Sequence, residues 1–127
     1  MNMSSALMQY QSVNARTQVE DASPHRLIQL LMESGLSRIA QAKGAMLREQ
    51  YSAKGVAISK ALAILSGLQE GLDYEKGGDY ARRLNALYVY MAKRLTEANR
   101  TNQAELLDEV AGLLRTVKEG WDAIAPV

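Results

Sequence analysis

The sequence predicts an all-α protein, an antiparallel up-down four-helix bundle with a short N-terminal helix or cap arm. Only two prolines occur in the 127 residues, and the helix-forming residues Ala, Leu, Gln, Glu, Lys and Arg are abundant. Apolar residues recur at helical spacing in long segments. Short connections between those segments imply antiparallel neighbours, because a short link cannot return the chain to the far end of a helix.

The length fits a single domain over residues 1–127. Within it, residues 1–22 are expected to form a mobile arm or cap, because this segment has few apolar positions to anchor it. Residues 23–125 are expected to form the bundle.

The first long helix is predicted over residues 24–50. Ser23 supplies an N-cap hydroxyl, and Pro24 suits the first helical position because it lacks an N–H that would need a partner. At about 100° per residue, the apolar side chains of this segment cover roughly two thirds of the helix circumference. A helix packed on a single core needs a narrower stripe. Two explanations remain open: contact with two neighbouring helices, or a groove that receives another apolar element.

Three further helices are predicted over residues 52–72, 77–98 and 101–124. The stretch "YSAKG" is expected to reverse the chain before the second helix, which again carries a broad apolar face. In "DYEKGGD", Gly77 and Gly78 are expected to form a tight connection, because glycine has no preference for helical φ. The third helix is expected to end near "ANRTN".

Composition excludes several classes of function. Fifteen Lys and Arg residues stand against fourteen Asp and Glu residues, and the signs are interspersed, so no general attraction to nucleic acid or anionic membrane is expected. The absence of cysteine excludes a disulfide framework and a thiolate metal site. The N-terminus does not read as a secretory signal, and no apolar run approaches the roughly 18 residues of a membrane span. We therefore expect a cytosolic protein without membrane insertion.

Catalytic, cofactor and metal sites are not predicted. His25 is the only histidine, and it is interpreted as an exposed or capping-region residue because spacing supplies no partner for general-base work. Glu105, Asp108 and Glu109 are interpreted as a solvated face near a helix N-terminus. A di-iron bundle would need Glu-x-x-His elements, which this sequence lacks.

Nucleic-acid binding is not predicted either. Arg82 and Arg83 lie near three tyrosines, and basic and aromatic side chains together are typical of surfaces on which nucleic-acid bases stack. However, Tyr80 and Tyr88 fall on the apolar stripe of the third helix, so they are interpreted as core residues whose hydroxyls reach a rim.

An ordered set of short motifs spans nearly the whole chain. It comprises "ASPHRLIQLL" at 22–31, "AISKALAIL", "GLQEGLDYEKGGDYARRLNALYVYMAKRLTEAN" at 67–99 and a terminal "VKEGW", preceded by Tyr10. Together these motifs resemble the flagellar secretion chaperone (FliS) family. Met32 is the clearest departure, since the family commonly has a tyrosine there. Methionine keeps the volume and loses the hydroxyl, so the expected fold is unaffected.

The resemblance implies a non-enzymatic, ATP-independent chaperone of the bacterial cytosol that has no cofactor. Family members bind the disordered C-terminal segment of flagellin, prevent premature polymerisation and help to deliver the subunit to the export gate of the flagellar type III secretion apparatus. The resemblance also implies that the N-terminal arm covers part of the binding surface when no client is bound.

Five residues are candidates for client contact. Tyr10 matches the N-terminal tyrosine of the family. Ile28 and Leu31 lie about 60° apart on the first long helix, and Leu62 and Leu65 have the same spacing on the second, so the two pairs are expected to form facing walls of a groove. The rival explanation is burial of these four residues between helices of the bundle.

Two other classes of protein stay open on sequence grounds. One is a metal-dependent or enzymatic bundle, and the other is a self-assembling structural bundle without a flagellin client. The sequence is compatible with a monomer and with a homodimer, and it does not specify which flagellin is bound or whether a flagellar regulator also binds.

Overall fold

Four helices make up the architecture of residues 22–124, which are the residues that the computed structural model describes. They are α1 (Pro24–Leu47), α2 (Tyr51–Glu70), α3 (Tyr74–Thr101) and α4 (Ala104–Asp122). This part of the chain contains no strand, so the predicted all-α bundle is confirmed. The predicted N-terminal arm, with Tyr10, lies outside the described residues.

The helices form a closed ring in which each helix packs against two others. Helix α1 contacts α2 and α4, and α3 contacts the same two helices. Near the start of α2, the Lys54 Nζ donates to the Asn99 carbonyl at the end of α3, at 2.8 Å. Near the end of α1, Lys43 Nζ lies 2.8 Å from Asp108 Oδ1 at the start of α4. These contacts show antiparallel neighbours, and two neighbours per helix account for the broad apolar faces.

The start of α1 is confirmed, whereas its end differs from the prediction. The Ser23 hydroxyl accepts a hydrogen bond from the Arg26 amide at 3.1 Å, as expected of an N-cap. The helix ends at Leu47 rather than at residue 50, because Glu49 adopts a left-handed conformation with φ of 58°. The chain therefore reverses at residues 48–50, and Tyr51 of "YSAKG" already begins α2.

The Gly-Gly pair does not form the connection between α2 and α3. That connection lies at residues 71–73, and Asp73 caps α3 by accepting a hydrogen bond from the Lys76 amide at 3.0 Å. Gly78 instead kinks α3, with φ of 51° and ψ of −125°, a conformation that essentially only glycine adopts. At its other end α3 continues to Thr101, beyond the predicted residue 98.

A single hydrophobic cluster fills the space between the four helices. Its largest fully buried side chains include Tyr88, Leu31, Met32, Ile58, Leu68, Met91, Leu95, Leu107 and Leu114. Burying one such leucine stabilises the fold by about 1.5–3 kcal/mol. Along α1 to α4, no helix is both long enough and apolar enough to cross a bilayer.

Candidate functional site

An apolar cavity of about 500 Å³ opens at one end of the bundle. It lies where the start of α1, the end of α2, the start of α3 and the end of α4 meet. Its apolar walls include side chains from all four helices and from the segments that flank them: Ile28, Met32, Leu68, Leu72, Leu84 and Trp121. This composition suits apolar groups rather than a polar substrate.

The rim of the cavity presents apolar surface to solvent. Tyr80 and Ile124 both line the cavity, and they are 44% and 43% exposed. Asp73 and Lys76 are the charged side chains among the lining residues of the described chain. The cavity is therefore accessible from outside and is bordered by a small number of polar groups.

The kink in α3 shapes the mouth of this cavity. Lys76 and Gly77 line it from before the kink, and Tyr80 and Ala81 line it from beyond the kink. A β-carbon at Gly77 would lie only 2.9 Å from the Ala81 Cβ, one turn further along α3, so position 77 has no room for a side chain unless the backbone shifts. Gly78 supplies the change in chain direction that brings both segments to the cavity.

Tyr88 places a hydroxyl-bearing ring in the cavity wall. Its side chain is 1% exposed, and burial raises the pKa of Tyr88 above its ordinary value. Tyr88 therefore stays neutral under physiological conditions. The prediction that Tyr88 belongs to the core is confirmed, whereas Tyr80 is an exposed rim residue.

His25 and Trp121 join the start of α1 to the end of α4. The Trp121 Nε1–H donates to the His25 carbonyl at 3.0 Å, and the His25 Nε2 lies 2.9 Å from the Trp121 carbonyl. Because a carbonyl only accepts, the His25 Nε2 carries the proton. The two rings stack with centroids 4.9 Å apart and an interplanar angle of 15°.

Of the two predicted alternatives for His25, the capping region is where it lies, in the first turn of α1. It is half-buried and engaged with Trp121 rather than exposed. The two residues are 96 positions apart, so no local spacing in the sequence indicates their contact. Trp121 itself appeared in the motif set, but its place in a cavity wall follows only from the packing of α4 against α1.

Two of the four predicted groove residues lie in the hydrophobic core. Leu31 and Leu65 are 0% and 2% exposed, so they do not form exposed walls in this conformation. Leu62 is half-buried and packs against the core. Ile28 is also half-buried and lines the cavity. Leu31 and Leu65 are buried because α1 and α2 pack their broad apolar faces together. Contact of any of the four residues with a client stays a prediction.

A second depression lies between α2 and the end of α3. It is open and shallow, with a volume of about 550 Å³, and its floor is formed mainly by small side chains such as those of Gly55, Ser59 and Ala63. Lys60 and Asn99 border it. It is less enclosed than the cavity and has no aromatic wall.

Asp108 and Glu109 of α4 are engaged in surface contacts. Glu109 accepts hydrogen bonds from the Tyr90 hydroxyl and from Arg94 Nε, each at 2.7 Å, and these bonds lower the pKa of Glu109. Asp108 pairs with Lys43. Among residues 22–124, no group of three or more potential ligands is arranged to hold a metal ion.

The family model and the curated relatives that match this chain point to the same family. The family model described as flagellar protein FliS matches residues 6–127. The chain is 58% identical over 120 residues to flagellar secretion chaperone FliSB of Pseudomonas aeruginosa, which covers 94% of this chain and 95% of the relative. It is 41% identical over 127 residues to flagellar secretion chaperone FliS of Salmonella typhimurium, covering 99% and 94% of the two chains.

A third relative, flagellar secretion chaperone FliS of Vibrio cholerae, is 38% identical over 124 residues, which cover 98% of this chain and 91% of the relative. The family consists of chaperones, which confirms the prediction that this chain is not an enzyme. The ordered motifs, the four-helix bundle and these similarities together show that the chain belongs to the FliS family of flagellar secretion chaperones.

Proposed function

We propose that this chain is a flagellin-specific export chaperone of the bacterial cytosol. It binds the disordered C-terminal segment of flagellin, keeps the subunit from polymerising before export and delivers it to the export gate of the flagellar type III secretion apparatus. The observation that carries this proposal is the apolar cavity with its exposed rim, in a chain whose relatives are flagellar secretion chaperones.

The cavity suits the apolar face of an amphipathic client helix. Its walls are contributed by residues such as Leu68, Leu84 and Trp121, and its mouth is accessible beside Tyr80. Docking a helix in an apolar groove is a common mode of peptide recognition. Each client side chain that becomes fully buried contributes about 1.5–3 kcal/mol of favourable binding free energy, whereas ordering a disordered segment costs about 2–5 kcal/mol or more. A few anchors therefore suffice for binding without ATP.

The N-terminal arm is proposed to cover part of this surface when no client is bound. The arm joins the described chain at Ala22, directly before α1, and Ile28 of α1 lines the cavity. Covering exposed apolar rim residues would limit self-association of the free chaperone.

Tyr10 is expected to act in client binding more than in folding. Replacing it by Ala should weaken the affinity for flagellin while moving the melting temperature little, because Tyr10 lies in the segment with few apolar anchors. Calorimetry with flagellin and thermal unfolding without flagellin measure the two effects. Loss of soluble, folded protein in this variant would instead place Tyr10 in the core.

Complex formation with purified flagellin tests the proposed function. Size-exclusion chromatography with light scattering should show a one-to-one complex with monomeric flagellin and none with flagellin that lacks its C-terminal segment. Seeded polymerisation should stop at equimolar chaperone, also after exhaustive chelation of metals. Homo-oligomers that persist unchanged in the presence of intact flagellin would favour a structural self-assembling bundle and contradict the proposal.

A further inference from the structure

We propose that His25 is a positioning residue that holds the Trp121 indole in place as a wall of the client cavity. His25 does not line the cavity, whereas Trp121 does. His25 would therefore set client affinity through Trp121 without touching the client. This inference rests on the proposed function, since it assigns to His25 a part in client binding at the same site.

The position of Trp121 explains why its indole needs a restraining contact from another helix. Trp121 is the second-last residue of α4, which ends at Asp122. The last turn of a helix frays readily, and only exposed residues follow in the described chain, so the helix alone does not fix a large side chain there. A cavity wall built from such a residue is well defined only if another element restrains it.

His25 supplies that restraint from a rigid element. It lies in the first turn of α1, which Ser23 caps and Pro24 begins. Its carbonyl accepts the indole N–H, its imidazole Nε2 donates to the Trp121 carbonyl, and the rings stack. The accepted N–H and the stacked ring hold the indole itself, and the bond to the carbonyl holds the Trp121 backbone. The Trp121 carbonyl thus accepts two hydrogen bonds, one from the His25 imidazole and one from the Ile124 amide at 3.1 Å.

Two polar contacts across the α1–α4 seam lie outside the cavity. Gln29 Nε2 donates to Asp122 Oδ1 at 2.8 Å, and Lys118 Nζ lies 3.7 Å from Glu33 Oε1. These residues are absent from the cavity lining. Gln29→Ala therefore breaks a link in the same seam while leaving Trp121 and His25 in place, which makes it a matched control.

Trp121 is the only tryptophan of the chain, so its fluorescence reports this site alone. Acrylamide quenching of the full-length free protein should be stronger in His25→Ala than in wild type, and unchanged in Gln29→Ala. His25→Gln, which keeps a side-chain N–H donor but not the stacked ring, should lie between wild type and His25→Ala.

Calorimetry with a peptide of the flagellin C-terminal segment gives the second measurement, at a temperature where all variants are folded. His25→Ala should raise Kd by about tenfold, as expected when an anchor in a binding hot spot is lost. His25→Gln should recover part of the affinity, and Gln29→Ala should bind within about twofold of wild type, as expected of a contact outside the hot spot.

Unchanged quenching in His25→Ala would overturn the inference, because the indole would then be held without His25. An equal loss of affinity in Gln29→Ala would also overturn it, since general weakening of the seam would explain both. If wild type itself binds no peptide, the proposed function fails, and the quenching result alone still decides whether His25 positions Trp121.

Discussion

At the scale of single residues, Leu65 and Ile28 lie on neighbouring helices but differ in their access to solvent. Leu65 is 2% exposed in the core, whereas Ile28 is half-buried and lines the cavity. Leu65→Ala should destabilise the free protein by about 2–5 kcal/mol through lost burial and a cavity. Its affinity for client per folded molecule should stay unchanged.

Ile28→Ala should affect client binding more than protein stability. Because Ile28 borders an open cavity, its truncation should lower the unfolding free energy less than truncation of Leu65 does. It should weaken the binding free energy for the client by more than about 1 kcal/mol. Denaturant unfolding and calorimetry with a flagellin C-terminal peptide measure both quantities. Equal stability losses with unchanged client affinity in both variants would place Ile28 among the residues that only support the core.

Glu109 links protein stability to pH. Hydrogen bonds from the Tyr90 hydroxyl and from Arg94 lower the pKa of Glu109 below its ordinary value of 4.5. A carboxyl whose pKa is lowered by folding contributes stability above its unfolded pKa, and that contribution is lost as pH falls through the folded pKa. Glu109→Gln should therefore lower the melting temperature at neutral pH, and the difference from wild type should shrink below about pH 4.5. A difference that stays constant on acidification would contradict this role.

At the scale of helices, Gly78 allows α3 to bend over the cavity. At φ of 51° and ψ of −125° an added β-carbon meets no atom within 4 Å, so Gly78→Ala would be disfavoured by backbone strain alone. We expect a loss of about 1–3 kcal/mol in unfolding free energy and weaker binding of client.

Gly112 provides the matched control for this substitution. It lies inside α4, and its added β-carbon also meets no atom within 4 Å, but its backbone is helical. Gly112→Ala should therefore stabilise the protein by about 0.5–1 kcal/mol. Urea unfolding of both variants makes the comparison, and a Gly78→Ala protein as stable as wild type would show that the kink is not required.

The helices themselves were predictable where local signals agree. Ser23 and Pro24 specify the start of α1, and the observed cap has the expected geometry. Near α3 two local signals compete: Asp73 is a good N-cap, and Gly77 with Gly78 is a good break. The structure uses Asp73 to begin the helix and Gly78 to bend it. Both local preferences are met, and neither of them alone specifies which position starts α3.

At the scale of the whole molecule, closure of the ring determines which apolar residues remain accessible. Composition and periodicity predicted the all-α bundle, and the breadth of the apolar faces is explained by two neighbours per helix. The same patterns did not distinguish buried Leu31 from cavity-lining Ile28. They also gave no sign of the pairing between His25 and Trp121, because that contact joins the two ends of the bundle sequence.

Two tyrosine variants distinguish whether the apolar cavity receives the flagellin C-terminal segment. Tyr80 lines the cavity and is 44% exposed, whereas Tyr51 begins α2, does not line the cavity and is 50% exposed. Both substitutions by Ala remove a similar exposed ring and should leave the fold intact.

The measurement is the calorimetric Kd of wild type, Tyr80→Ala and Tyr51→Ala for one flagellin C-terminal peptide. We expect Tyr80→Ala to bind about tenfold more weakly than wild type, which corresponds to about 1.4 kcal/mol, and Tyr51→Ala to bind like wild type. Unchanged affinity in Tyr80→Ala together with a loss in Tyr51→Ala would place the client elsewhere on the bundle and rule out the cavity as its binding site.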